Sequence, residues 1–168
     1  MGQLDAEPDP AGLIQAASLA GTIDADVILC SPLRRASLTA AAIFPGREVT
    51  YDDRLMERHL GDWQGRGKAE VRVEQPEVYT EVGTLELAVT PPGGESWAAL
   101  QARVRAVLDE IASLPAERRV ALVAHNGVLR TARVLLGQVD VTRASRMAEP
   151  FARPDLVVVD AAALSPTH

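Results

Sequence analysis

The 168 residues suit one compact domain with a sizeable core and a single site, rather than two domains. Acidic residues outnumber basic ones, 23 to 17, for a net charge of −6, and cations scattered among acids form no stripe for nucleic acid. Among the basic residues only Lys68 is lysine, which fits arginine forks at a phosphate or carboxylate but equally fits a GC-rich coding sequence, the explanation favoured here.

In chain order, the opening Met1-Gly2-Gln3-Leu4-Asp5 has neither the basic region nor the apolar run of a signal peptide. No later segment approaches membrane-spanning length, so a cytoplasmic protein without membrane contact is expected. Ala11 to Ala20 has helical period. Asp26 to Cys30 is a continuous apolar run suited to an interior strand. Cys30 is the single cysteine, which excludes an intrachain disulfide or a cysteine zinc site and fits a reducing compartment. Leu33 to Phe44 predicts a helix entered through Pro32 and ended by Pro45-Gly46. Arg47 to Tyr51 reads as a flanking strand. Gln75 to Gly94 is acidic, carries Pro76, Pro91 and Pro92, and lacks clean period, so it predicts a mobile cap or loop.

The longest helix starts near Glu95. Trp97, Leu100, Val104, Val107, Leu108, Ile111 and Leu114 fall on one of its faces and predict core packing. Val120 to Ala124 is a second interior strand, a helix follows Gly127 and ends near Gly137, and Asp155 to Asp160 is a further flanking strand. Apolar runs of strand length alternating with helical segments imply parallel βαβ units, hence an α/β domain over residues 1–168 without repeats or linker.

Three constellations carry chemistry. Cys30-Ser31-Pro32-Leu33-Arg34-Arg35-Ala36 puts two arginines at a strand-to-helix junction, which is either a phosphate corner or a solvated helix start. Leu55 to Gly65 holds Glu57, Arg58 and His59 just after a strand; it is either the seat of a general acid or a salt-bridged turn with a structural histidine. Val123-Ala124-His125-Asn126-Gly127 places an imidazole at the carboxyl end of a buried strand, the rim where open α/β sheets bind ligands. Asn126 and Gly127 permit a tight turn there.

Together, in order and spacing, these segments resemble the histidine phosphatase superfamily, the group containing cofactor-dependent phosphoglycerate mutase. Gly2-Gln3-Leu4-Asp5 with Gly12, Gln15 and Ala16 resembles the family's loop and first helix, and Ser31 to Ala36 with Thr39-Ala40 resembles its phosphate-arginine segment. Leu55 to Gly65 resembles the acid-glutamate segment, Pro92-Gly93-Gly94-Glu95-Ser96 the turn opening the long helix, and Ala124 to Arg130 the second-histidine turn. The likeness implies a three-layer α/β/α fold with a mostly parallel sheet and an anion pocket at the strand carboxyl ends. It implies that Arg35 clamps phosphoryl oxygens, His125 stabilises them and Glu57 protonates the leaving oxygen. Asn126 joins the anion-binding candidates, as do Arg34, Arg58 and Arg130, with a surface or structural role favoured for each of these three arginines.

The family nucleophile is the histidine of an Arg-His-Gly turn after the first strand. The chain starts downstream of that position, so the first strand and the nucleophile are expected to be absent, and mutase activity, which needs that histidine phosphorylated, is not expected. Unpaired sheet edges cost on the order of 1–3 kcal/mol per buried backbone group. Either Asp155 to Asp160 closes against Val120 to Ala124, or a second copy covers the edge, and a homodimer is favoured. No metal or other cofactor is implied. Three functions stay open for a small anionic metabolite as partner: a shortened phosphatase nearly inactive on phosphomonoesters, a repurposed enzyme using Glu57 and His125 as acid and base, or a non-catalytic binder.

Overall fold

In the computed structural model, residues 2–78 and 87–147 are described. Helix α1 (Pro10–Ala17) opens with Asp9 as its cap, whose carboxylate accepts the Ala11 amide hydrogen at 3.0 Å, and with proline in its first turn. It stops three residues short of the expected end, where the backbone passes into turns with Leu19 N–H bonded to the Ala16 carbonyl and Ala20 N–H to that of Ala17. Strand β1 (Val27–Cys30), helix α2 (Arg34–Ile43) and strand β2 (Thr50–Tyr51) follow. The strand expected from Arg47 shrinks to two residues: Arg47 turns its guanidinium to the Ala25 carbonyl at 2.7 Å, and only Thr50 and Tyr51 reach the β1 ladder.

Helix α3 (Lys68–Glu74) has no counterpart in the sequence reading. Its apolar residues Val71 and Val73 alternate rather than follow a helical period; Val71 is buried while Val73 is exposed. Arg66 pairs with Glu70 and Glu74, and Val71 joins Trp63 and Val78 in a small core of its own. A single 3₁₀ turn, Pro76–Val78, lies inside the segment expected to be a loop. Helix α4 (Trp97–Ala112) is capped by Ser96, whose hydroxyl oxygen accepts the Ala99 amide hydrogen at 3.1 Å. Leu100, Val104, Val107 and Leu108 are buried along it as the stripe predicts, but the helix ends before Leu114, which is 38% exposed. Strand β3 (Val120–Val123), helix α5 (Asn126–Leu135) and helix α6 (Val141–Arg146) complete the described elements. The strand expected at Asp155 to Asp160 lies outside the described residues.

The three strands are parallel in the order β2-β1-β3, with Leu29 opposite Thr50 on one side and Leu122 on the other. Because side chains alternate along a strand, Leu29 and Leu122 face the core made by α4, α5 and Leu55. Ile28, Cys30, Ala121 and Val123 face the opposite core, where Ala16, Ala36, Ala40 and Ile43 pack from α1 and α2. Helices on both faces of a parallel sheet make the expected α/β architecture. Among the described residues no strand lines the far side of β3, and its four residues are half-buried. No described helix is long and apolar enough to cross a membrane.

Candidate active site at the strand carboxyl ends

Two parallel strands end side by side and set the site. The Ser31 amide hydrogen continues the ladder one step beyond β1 by bonding the Val123 carbonyl at 3.0 Å. From there the chain runs through Pro32 and Leu33 into α2, so Arg35 sits in the first turn of that helix. On the neighbouring strand His125 occupies the cap position of α5 in extended backbone. Its Nε2 lies 2.8 Å from the Ser31 hydroxyl oxygen, and both side chains are buried. Burial, with the positive charges of Arg35 and Arg103, pushes the His125 pKa down to about 3, so the ring is neutral at physiological pH.

Glu57 reaches the same place from the segment after β2. One carboxylate oxygen accepts the amide hydrogen of its neighbour Arg58 at 2.8 Å, and the other accepts that of Gly127 at 3.2 Å, in the first turn of α5. Gly127 has to be glycine for this approach, since a Cβ there would run into the Glu57 carboxylate. The Arg35 guanidinium donates to the Gly2 and Leu4 carbonyls at 2.6 and 2.7 Å, and among the described residues its other N–H groups have no hydrogen-bond partner. Burial lowers its pKa, opposed by the charges of Glu57 and Asp5. Gln3 closes the arrangement by donating from its side-chain amide to the Glu57 carbonyl at 3.0 Å. A half-buried guanidinium, a neutral imidazole and a carboxylate thus converge where two helices begin, a setting whose backbone dipoles favour negative charge.

The sequence matches the histidine phosphatase superfamily (branch 1) over residues 1–158. The chain belongs to that superfamily. It is 38% identical over 144 residues to the glucosyl-3-phosphoglycerate phosphatase of Mycobacterium tuberculosis (strain ATCC 25618 / H37Rv), covering 76% of this chain and 63% of that protein. It is also 33% identical over 147 residues to phosphoserine phosphatase 1 of Hydrogenobacter thermophilus, covering 84% and 70% of the two chains. A solved structure of a mycobacterial glucosyl-3-phosphoglycerate phosphatase in complex with VO3 superposes with a TM-score of 0.76 at 34% identity, over 88% of this chain and 78% of that one. The chain therefore spans somewhat under two thirds of the length of the mycobacterial relative.

Within this superfamily framework, Arg35, Glu57, His125 and Asn126 come together, and the Asn126 side-chain oxygen is buried without a hydrogen-bond partner. The other three arginines are engaged elsewhere. Arg34 lies outside, its guanidinium 2.7 Å from Glu7 with both side chains more than half exposed. Arg58 is 3% exposed and spends its guanidinium on the carbonyls of Glu95, Leu87 and Val89 at 3.0, 3.0 and 2.5 Å. Arg130 is buried and donates from Nε to the Ala144 carbonyl, tying α5 to α6.

Sequence reasoning passed over four residues that build the site. Ser31 and Gln3 were only letters of a motif, and nothing local marks them as neighbours of His125 and Glu57. Glu95 accepts Arg103 through two bonds of 2.6 and 2.8 Å and the His59 amide hydrogen at 3.3 Å, while its own amide hydrogen bonds the His59 carbonyl at 2.8 Å. Arg103 in turn donates to the Arg54 carbonyl at 2.5 Å. The segment bearing Glu57 is thereby stitched to the start of α4. Gly61, at φ +50°, completes the seam, because any Cβ there would collide with the Pro92 carbonyl. His59 turns its ring to this seam: Nδ1 accepts the Gly61 amide hydrogen at 3.2 Å.

Proposed function

We propose that this chain binds the phosphoryl group of a small phosphorylated metabolite at the Arg35, His125 and Glu57 site. The observation that carries the reading is the convergence of these three groups, from segments far apart in the chain, on one sheet edge. Arg35 supplies charge-assisted donors to the phosphoryl oxygens. His125, neutral and buried, supplies a directional hydrogen bond rather than a second full charge. Glu57 stands where it can protonate the leaving oxygen. The names of the relatives, phosphatases for glucosyl-3-phosphoglycerate and phosphoserine, support a phosphomonoester as the ligand class.

Turnover is a separate matter. The 168 residues contain no Arg-His-Gly sequence, and the ring of His59, the other described histidine, is held by Gly61 and Gln64. Phosphoryl transfer through a histidine intermediate is therefore expected to be very slow in this chain alone. A second reading rests on the placement of Glu57 and His125 at the start of α5, where they act as acid and base on an anionic metabolite without a covalent intermediate. Phosphate release from a broad phosphomonoester panel by the purified 168-residue chain, beside His125→Ala, tests for phosphatase turnover. Turnover that vanishes in the variant supports a phosphatase with an unusual nucleophile. Silence in both, with phosphate still bound in a calorimetric titration, supports the binding reading without phosphatase turnover; failure to bind phosphate overturns it.

A further inference from the structure

The pairing of Ser31 with His125 determines which ring nitrogen carries the imidazole proton. Ser31 is 0% exposed, so its hydroxyl proton has no water to turn to. The hydroxyl oxygen already accepts the Leu33 amide hydrogen at 3.3 Å. Among the described residues the acceptor within reach of the hydroxyl is His125 Nε2, at 2.8 Å. A buried hydroxyl whose proton finds no acceptor is costly, and a neutral imidazole has one donor nitrogen and one acceptor nitrogen. Satisfying Ser31 therefore requires Nε2 to be the acceptor and leaves the proton on Nδ1, for which no described residue provides a partner.

We propose that Ser31 is a positioning residue that locks His125 in the Nδ1–H tautomer, so that the ring presents a hydrogen-bond donor, not an acceptor, to the anion. An acceptor nitrogen facing a phosphoryl oxygen would repel it; a donor nitrogen complements the charge that Arg35 brings. The chain thus obtains a second donor from a ring too buried to be protonated, and the device depends on a serine far from His125 in sequence. The consequence for anion binding rests on the phosphoryl-binding reading above, whereas the tautomer itself does not.

The test is a long-range ¹H–¹⁵N correlation spectrum of the imidazole nitrogens in the 168-residue chain near neutral pH, for the wild type and Ser31→Ala, with inorganic phosphate as the titrated probe. The expected wild-type spectrum shows a protonated Nδ1 and an unprotonated Nε2 at His125. Ser31→Ala is expected to raise the Nε2–H population and to weaken phosphate about 3- to 10-fold, the range for one lost neutral hydrogen bond. A wild-type spectrum with the proton on Nε2 overturns the inference without recourse to the variant, and so does a Ser31→Ala protein that is folded yet keeps a pure Nδ1–H ring. A tautomer change in a protein that binds no phosphate would uphold the role of Ser31 and overturn the phosphoryl-binding reading instead.

Discussion

The corner that opens α2 and the segment that carries Glu57 each hold an arginine in partly or fully buried surroundings, and their guanidiniums meet different fates. Arg35 gives two N–H groups to the carbonyls of Gly2 and Leu4, and among the described residues its other N–H groups stay unspent, near Glu57 and His125. Arg58, one residue along from Glu57, is sunk beneath the Glu95 turn and is held by three backbone carbonyls. Burial pulls the pKa of each down. What sets the proposed anion-binding arginine apart from the structural one is the number of donors left over, not burial or proximity to an acid.

The comparison breaks most visibly at Arg58. Arg58→Met keeps the length of the side chain but leaves the carbonyls of Leu87, Val89 and Glu95 without donors, each at a cost of about 1–3 kcal/mol. A net loss on the order of 3 kcal/mol is expected, or about 10 °C in Tm for a chain of this size, read by calorimetry. Arg35→Met should do the reverse: a small change in Tm, with phosphate affinity reduced about 10- to 100-fold by loss of a charge-assisted contact. If Arg58→Met melts like the wild type and binds phosphate weakly, the two roles are exchanged.

The next effect depends on pH and concerns His125. Its folded pKa, about 3, lies below the ordinary value of 6.5, so the folded state resists protonation while the unfolded state accepts it. The stability contributed by the neutral ring is complete above about pH 6.5 and is lost as pH falls toward 3, by at most ~1.4 kcal/mol per pH unit. Urea unfolding across this range should show the slope in the wild type, and His125→Asn should flatten it. Smallest of all, Glu7→Gln removes the ion pair with Arg34. Both partners are exposed, so a change below about 0.5 kcal/mol is expected by urea unfolding.

Much of this molecule is local in origin and was legible as such. The α4 stripe from Leu100 to Leu108 buries the predicted face because a period of 3.6 residues already sorts apolar from polar side chains. The runs in β1 and β3, and the entry to α2 after Pro32, follow from side-chain branching and turn residues within a few positions. Helix α3 escaped notice because its two valines do not repeat at helical spacing and its stability comes from Arg66 ion pairs and a single buried contact.

The sequence by itself also determined the order of the motifs, and hence that an arginine, a glutamate and a histidine would end at the carboxyl edge of a parallel sheet. Only the tertiary structure decided which of the four candidate arginines faces that edge, that Ser31 meets His125 across 94 positions, and that Glu57 lands on the amide of Gly127 across 70. Those contacts depend on the register that sets Cys30 beside Val123 and on the backbone carbonyls that happen to surround each guanidinium. Neither is encoded in the spacing of residues within one segment, since both arise only when distant segments pack against each other.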